Sequence, residues 1–205
     1  MTPDWQQPIL AGWAAELEEQ TQRVATIVDG LSPDQLTQRP ATKKWSIAHC
    51  LDHLAATEES YFPYLEKTIA RGENSPPNEF PDYRPGRFAR WIIRFAGPDG
   101  RPVPAPKVFR PAEEPSPGAP VRFSESQAKT LRLLERADGI DLNRWKLRSP
   151  ATPLLRFRVG EALELIVRHN ERHLGQLERA REALSSSGSK PVDNPSKIGG
   201  PSIEN

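Results

Sequence analysis

Residues 161–180 read EALELIVRHNERHLGQLERA, and the spacing of their apolar positions decides the fold. Ala162, Leu165, Ile166, Leu177 and Ala180 recur at the interval of one helical face, with His169 and His173 on the same stripe. The pattern predicts a helix from about Gly160 to Ala183, the longest and clearest in the chain. At about 100° per residue, His173 lies about 40° around that helix from His169 and one turn along it, so the two rings project together. Asn170 is about 100° and Glu171 about 200° away, which turns Glu171 off the back of the helix. In the zinc-peptidase pattern H-E-x-x-H the glutamate directly follows the first histidine; here that position is Asn170, and no peptidase is implied. Gln176 returns to the stripe one turn past His173, placed to bond a ligand ring, a bound water or a substrate.

The other two histidines of the chain repeat the spacing far upstream as His49 and His53, so all four fall into two helical i,i+4 pairs. A single histidine on an apolar stripe is ordinarily a satisfied core residue. Several buried together without a common partner leave unsatisfied nitrogens, each costing about 1–3 kcal/mol. One shared cation is the economical account. Three neutral imidazoles around a divalent ion leave a position open for water or substrate, the arrangement of catalytic rather than structural sites. Either His49 or His53 can supply the third ligand.

Around these pairs the chain organises into helices. From Pro8 to Val28, Ile9, Trp13, Leu17, Val24, Ile27 and Val28 recur near helical spacing, with Gly30 as a stop. Ser32-Pro33-Asp34-Gln35 is a capping box over a short connector that Pro40 limits. Ser46 caps a second helix, with a stripe from Ile47 to Leu65 that runs to about Ala70 and is bent at Pro63. Between Gly72 and Pro120 lie twelve of the 22 prolines and no sustained period, which excludes a regular core element. Within that stretch, residues 87–95 form a short amphipathic helix, with Phe88, Trp91, Ile92 and Phe95 on one side and three arginines on the other. We read it as a lid packed on the body rather than as a partner or membrane surface. Ser124-Glu125-Ser126-Gln127 is a capping box opening a third helix that ends near Asp138, and a connection rich in Pro and Arg over 149–158 leads to the fourth. Strand signals are nearly absent. The expectation is an all-α four-helix bundle with a long Pro-rich insert between helices two and three.

Composition narrows the function. Lys plus Arg (28) nearly cancels Asp plus Glu (27), which argues against nucleic acid or an anionic membrane as partner. One cysteine excludes a disulfide framework and a Cys-rich zinc site, so a metal has to be held by His and carboxylate. Cys50 reads as a small buried residue, and the five tryptophans as core and cap residues. With no basic, apolar leader and no window long enough to span a bilayer, the expected location is the cytoplasm.

The residues also match a family. Trp45-Ser46-Ile47-Ala48-His49-Cys50-Leu51-Asp52-His53-Leu54, followed by His169-Asn170-Glu171-Arg172-His173-Leu174-Gly175-Gln176, resembles the DinB-like superfamily of metalloenzymes over about 11–183. The resemblance implies an up-down-down-up path for the bundle, which spans 1–184 with 72–123 as the insert or lid; the Ser, Gly, Pro and Lys content of 185–205, without aromatics, reads as a flexible tail. By position it implies His53, His169 and His173 as ligands of a divalent metal, nickel or zinc. His49, where the family often has an acidic or polar residue, and Gln176 are candidates for supporting those ligands. The implied function is divalent-metal-dependent chemistry, thiol-dependent S-transfer or hydrolysis, on a small molecule with a low-molecular-weight thiol such as bacillithiol or mycothiol as co-substrate. A homodimer is among the assemblies it allows. The alternative is a non-catalytic metal-binding or stress-response interaction protein.

Overall fold

The computed structural model describes residues 4–41, 44–101 and 104–187. Over these residues the chain is mostly helical, with a small two-stranded sheet. Residues 188–205 of the expected tail lie outside the described residues.

Helix α1 (Pro8–Val28) starts on a proline whose fixed φ suits the first turn, and it ends where Gly30 takes φ 68°. Leu10, rather than the expected Ile9, joins Trp13, Leu17, Val24 and Ile27 on the buried face. The short α2 (Pro33–Thr37) carries the expected capping box between Ser32 and Gln35. Helix α3 (Ile47–Glu73) opens on a second box, from Ser46 to His49, and runs on through Pro63. In the insert, α4 (Arg87–Ala96) and a 3-10 turn at Lys107–Phe109 precede α5 (Ala119–Ala137).

Helix α5 begins five residues before Ser124, so the box read there is corrected: its N-cap is Gly118, with no side-chain cap. Pro120 presets the first turn, and burial of Ala119 and Phe123 in the core extends the helix upstream. The all-α expectation is corrected as well. Strands β1 (Lys146–Ser149) and β2 (Thr152–Arg158) form an antiparallel hairpin in which Leu147 faces Phe157 and both are buried. Alternation of these two with exposed basic residues is a half-buried β pattern, too short to register against two flanking prolines.

Helix α6 (Val159–Ser187) follows without a loop. Its Glu161 accepts from the Arg158 N–H at 2.7 Å, half of a capping box, and from the Gly86 N–H at 2.9 Å, which ties the start of α4 to the start of α6.

Cross-helix pairs give the directions. Asp52 and Glu59 meet Arg122, Glu66 meets Lys129 and Glu73 meets Arg136, so α3 and α5 are parallel. Glu16 meets Arg168, and Arg23 meets Glu171 and Glu178, so α1 and α6 are parallel. Gln6 and Gln7, at the start of α1, donate main-chain N–H groups to Asp138 at the end of α5, making that pair antiparallel. Two apolar clusters fill the space between these helices, one around Leu17, Leu65, Leu134 and Leu163 and one around Val24, Leu51, Phe123 and Leu177. The histidines lie where α3 passes α6, near the seam between the clusters. Among the described residues no helix is long and apolar enough to cross a membrane.

Candidate metal centre

His53 projects from the second turn of α3, and His169 and His173 from the middle of α6. One ligand atom from each lies within 4.8 Å of the others, and His53 Nε2 is 3.3 Å from His169 Nε2. A metal held at about 2.0–2.1 Å by two tetrahedrally arranged nitrogens sets them about 3.3 Å apart, so this spacing suits a shared ion.

The outer nitrogens set the tautomers of two rings. His53 Nδ1–H donates to the Phe109 carbonyl at 2.6 Å, and His173 Nδ1–H donates to Gln176 Oε1 at 2.9 Å. Each ring is thereby left with an Nε2 lone pair facing the cluster. His169 Nδ1 is buried with no partner. A cation shared through the Nε2 atoms would place the His169 proton on this Nδ1; what it would offset is the cost of burying three ring nitrogens that face one another across the cluster.

Burial holds the three imidazoles neutral. It pushes all three below the ordinary histidine range, His173 to about 3; Arg172 opposes the charging of each further, while the Phe109 carbonyl pulls His53 and Gln176 pulls His173 the other way. Neutral imidazole is the form that ligates metal. Trp45 covers the rings, 4.9 Å from His53 and 6.3 Å from His173 between centroids.

His49 is placed differently. Its Nδ1 accepts from the Ser46 N–H at 3.3 Å and lies 2.7 Å from Ser46 Oγ, closing the α3 cap. Its Nε2 lies 3.2 Å from the Glu113 carbonyl and 2.8 Å from Arg39. Both nitrogens are engaged away from the other three rings. Glu171, off the back of α6, is held by Arg23 of α1 at 2.9 Å. The Cys50 thiol is pushed up to about 12 by burial, which leaves it a neutral, weakly nucleophilic group.

Two features of the site have no counterpart in the sequence reading. The insert supplies the acceptor for His53 through the main chain of Phe109, whose buried ring also stacks 6.1 Å from Tyr61. Behind His169, the fully buried Glu58 accepts from Asn170 Nδ2 at 2.8 Å, Thr130 Oγ1 at 3.0 Å and Gln127 Nε2. Burial raises Glu58 to about 7, with the donors pulling the other way. Of these four side chains, Asn170 is legible in the sequence only as the neighbour of His169, and Gln127 only as part of the capping box expected at Ser124.

The three rings open onto a cavity of about 760 Å³. Ile92 and Phe95 of α4, Leu155 and Phe157 of the hairpin and Leu165 and Ile166 of α6 make its walls apolar. Lys44, Arg172 and Arg179 also line it, giving it a positive contribution.

The sequence model of the DinB superfamily matches residues 16–177. The chain belongs to the DinB superfamily. That match takes in both histidine pairs, the Pro-rich insert and the hairpin. No curated protein and no solved structure matches this DinB chain. Family and geometry together are compatible with a metal-binding DinB protein.

Proposed function

We propose that this DinB protein is a divalent-metal-dependent enzyme built on an up-down-down-up four-helix bundle, with His53, His169 and His173 as the ligands. The observation that carries the reading is the convergence of three neutral imidazoles on the wall of a large apolar cavity. Among the described residues no carboxylate or thiolate joins the three in the cluster, so the side facing the cavity is left for a small molecule. An all-nitrogen donor set suits zinc or nickel.

When bound, the cation supplies Lewis acidity that lowers the pKa of a thiol or water beside it. The chain supplies the rest. Phe109 and Gln176 hold the His53 and His173 rings in the ligating tautomer, and Trp45 limits their tilt. The apolar walls exclude water and fit an apolar electrophile, while Lys44, Arg172 and Arg179 favour an anionic group on the substrate or on a low-molecular-weight thiol.

Metal analysis of protein purified without chelator or affinity tag tests the ligand set. His169→Ala and His173→Ala should each lose stoichiometric metal and keep the helical spectrum, and unaltered metal content in either variant would refute the assignment. A thiol-transfer screen on metal-loaded protein separates an enzyme from a non-catalytic binder, for which no turnover above the His169→Ala background is the expected result.

A further inference from the structure

Helix α4 departs from the reading of its sequence. Its aromatic side was expected to pack on the body, yet the residues it buries are Ala89 and Ile93, while Phe88 is 63 % and Trp91 61 % exposed. Phe88, Trp91 and Phe95 stack in a ladder along the helix, with centroids 6.1 and 5.7 Å apart and planes 19° and 15° from parallel. Arg87, Arg90 and Arg94 flank the ladder, and none of the three forms an ion pair among the described residues. With Arg101 they line a shallow groove on which Asp99 is the sole acid. Large exposed rings beside unpaired cations form a patch with neither a core nor a solubility role.

The hairpin, which with Ile92 and Phe95 of α4 walls the cavity at the histidines, carries a second such surface. Arg148 and Arg156 face each other across the strands, both exposed, and Leu154 is 93 % exposed. Like charges directly opposite are unfavourable in a sheet, and an isolated protruding leucine gains nothing from water.

We propose that α4, with the tip of the hairpin, docks this protein on an anionic phospholipid bilayer. The arginines meet lipid phosphates, while Phe88, Trp91 and Leu154 enter the boundary between headgroups and acyl chains. The short length of α4 is no obstacle, because it is already folded. Ala89 and Ile93 seat it, and Arg172 donates to the Phe95 carbonyl at its C-terminal turn at 3.0 Å and to the Arg101 carbonyl beyond it at 2.9 Å. Binding therefore bears no helix-forming cost.

Two other occupants fit less well. A second copy across a two-fold axis would set the unpaired arginines of α4 against themselves. A single-stranded nucleic acid needs open ring faces, and these rings already stack on one another; nor does it give Leu154 a partner. The inference is independent of the metal centre.

Co-sedimentation of the full chain with phosphatidylcholine vesicles, with and without phosphatidylglycerol, tests it. Binding is expected to the anionic vesicles alone and to weaken as salt rises. The triple variant Arg87→Gln, Arg90→Gln, Arg94→Gln should bind about a hundredfold more weakly. Phe88→Ser with Trp91→Ser should lose about tenfold, and all these side chains are exposed enough for the helical spectrum to stay unchanged. The proposal is overturned if the full chain ignores anionic vesicles or if the triple variant binds them as tightly. It is equally overturned if vesicles are ignored while a single-stranded oligonucleotide is retained, or while a dimer forms that Trp91→Ser dissolves.

Discussion

His53 Nδ1 and the main-chain carbonyl of Phe109 lie 2.6 Å apart across 56 positions of sequence. The Pro-rich insert is thus part of the candidate centre, because it fixes which nitrogen of His53 faces the other two rings. Phe109 is held by its own burial and by stacking on Tyr61. Phe109→Ala should cost about 3 kcal/mol in urea unfolding and, by freeing the carbonyl to drift, weaken metal binding about 10–100-fold in a competition titration. A variant that loses stability but binds metal as tightly as the parent would show that His53 does not depend on the insert.

Glu58 carries a pH dependence that can be isolated. Burial raises its folded pKa to about 7, above the ordinary 4.5, so the native state holds more protons than the unfolded state between those values. Its contribution to stability is greatest below pH 4.5 and falls as pH rises through 7. Gln at this position is neutral at every pH; its Oε1 can accept from Gln127 and Asn170, and its Nε2 can donate to Thr130 Oγ1. Relative to the parent, Glu58→Gln should gain about 3 kcal/mol between the acid and alkaline ends of that window. The three triad histidines, lowered by burial, lose stability as pH falls below 6.5, but they do so in both proteins and cancel in the difference. A flat difference across the window would mean that Glu58 is not buried as a carboxyl in solution.

What the sequence made legible follows from the range of each interaction. His169, His173 and Gln176 were readable because helical geometry ties residues one turn apart, whatever the rest of the fold does. The DinB family was readable because both histidine motifs survive intact in the chain. The Phe109 contact was not, since a main-chain carbonyl has no residue signature and its partner is remote. Glu58 stands beside Glu59 on a long helix and resembles any solvated acid until Gln127, Thr130 and Asn170 close around it. For α4, periodicity gave an amphipathic helix but only half of its packing side, since Ile92 and Phe95 line the cavity while Phe88 and Trp91 do not pack on the body. Close approach to the body selects the small Ala89 and the slim Ile93, and the rings of Phe88 and Trp91 turn outward.

The turn that closes α4 leaves no room for a side chain at Gly100. An added Cβ would collide with the Phe95 carbonyl and the Arg172 guanidinium, so the same substitution strikes the backbone and the cation that satisfies it. Gly100→Ala should destabilise the protein by about 2 kcal/mol. Hydrogen exchange should locate the loss, with faster exchange at the amides from Ile93 to Gly97 and little change in α1 or α5. Uniform protection in α4 would show that the turn relaxes without releasing the helix.

The opposed Arg148 and Arg156 offer a test with the opposite sign. In the next pair on the same face, Lys146 against Arg158, Glu161 lies 3.9 Å from Arg158 and relieves the repulsion, whereas no acid reaches Arg148 or Arg156 among the described residues. Arg148→Glu replaces a like-charged cross-strand pair with an opposite one on an exposed face. It should stabilise the protein by about 0.5 kcal/mol, an effect that shrinks as salt is added. Thermal unfolding at low and high salt measures both parts. If the hairpin serves an anionic surface, the same variant should also bind anionic vesicles more weakly, so stability and docking move in opposite directions. A variant that is no more stable than the parent at low salt would remove the claim that this pair is kept at a cost.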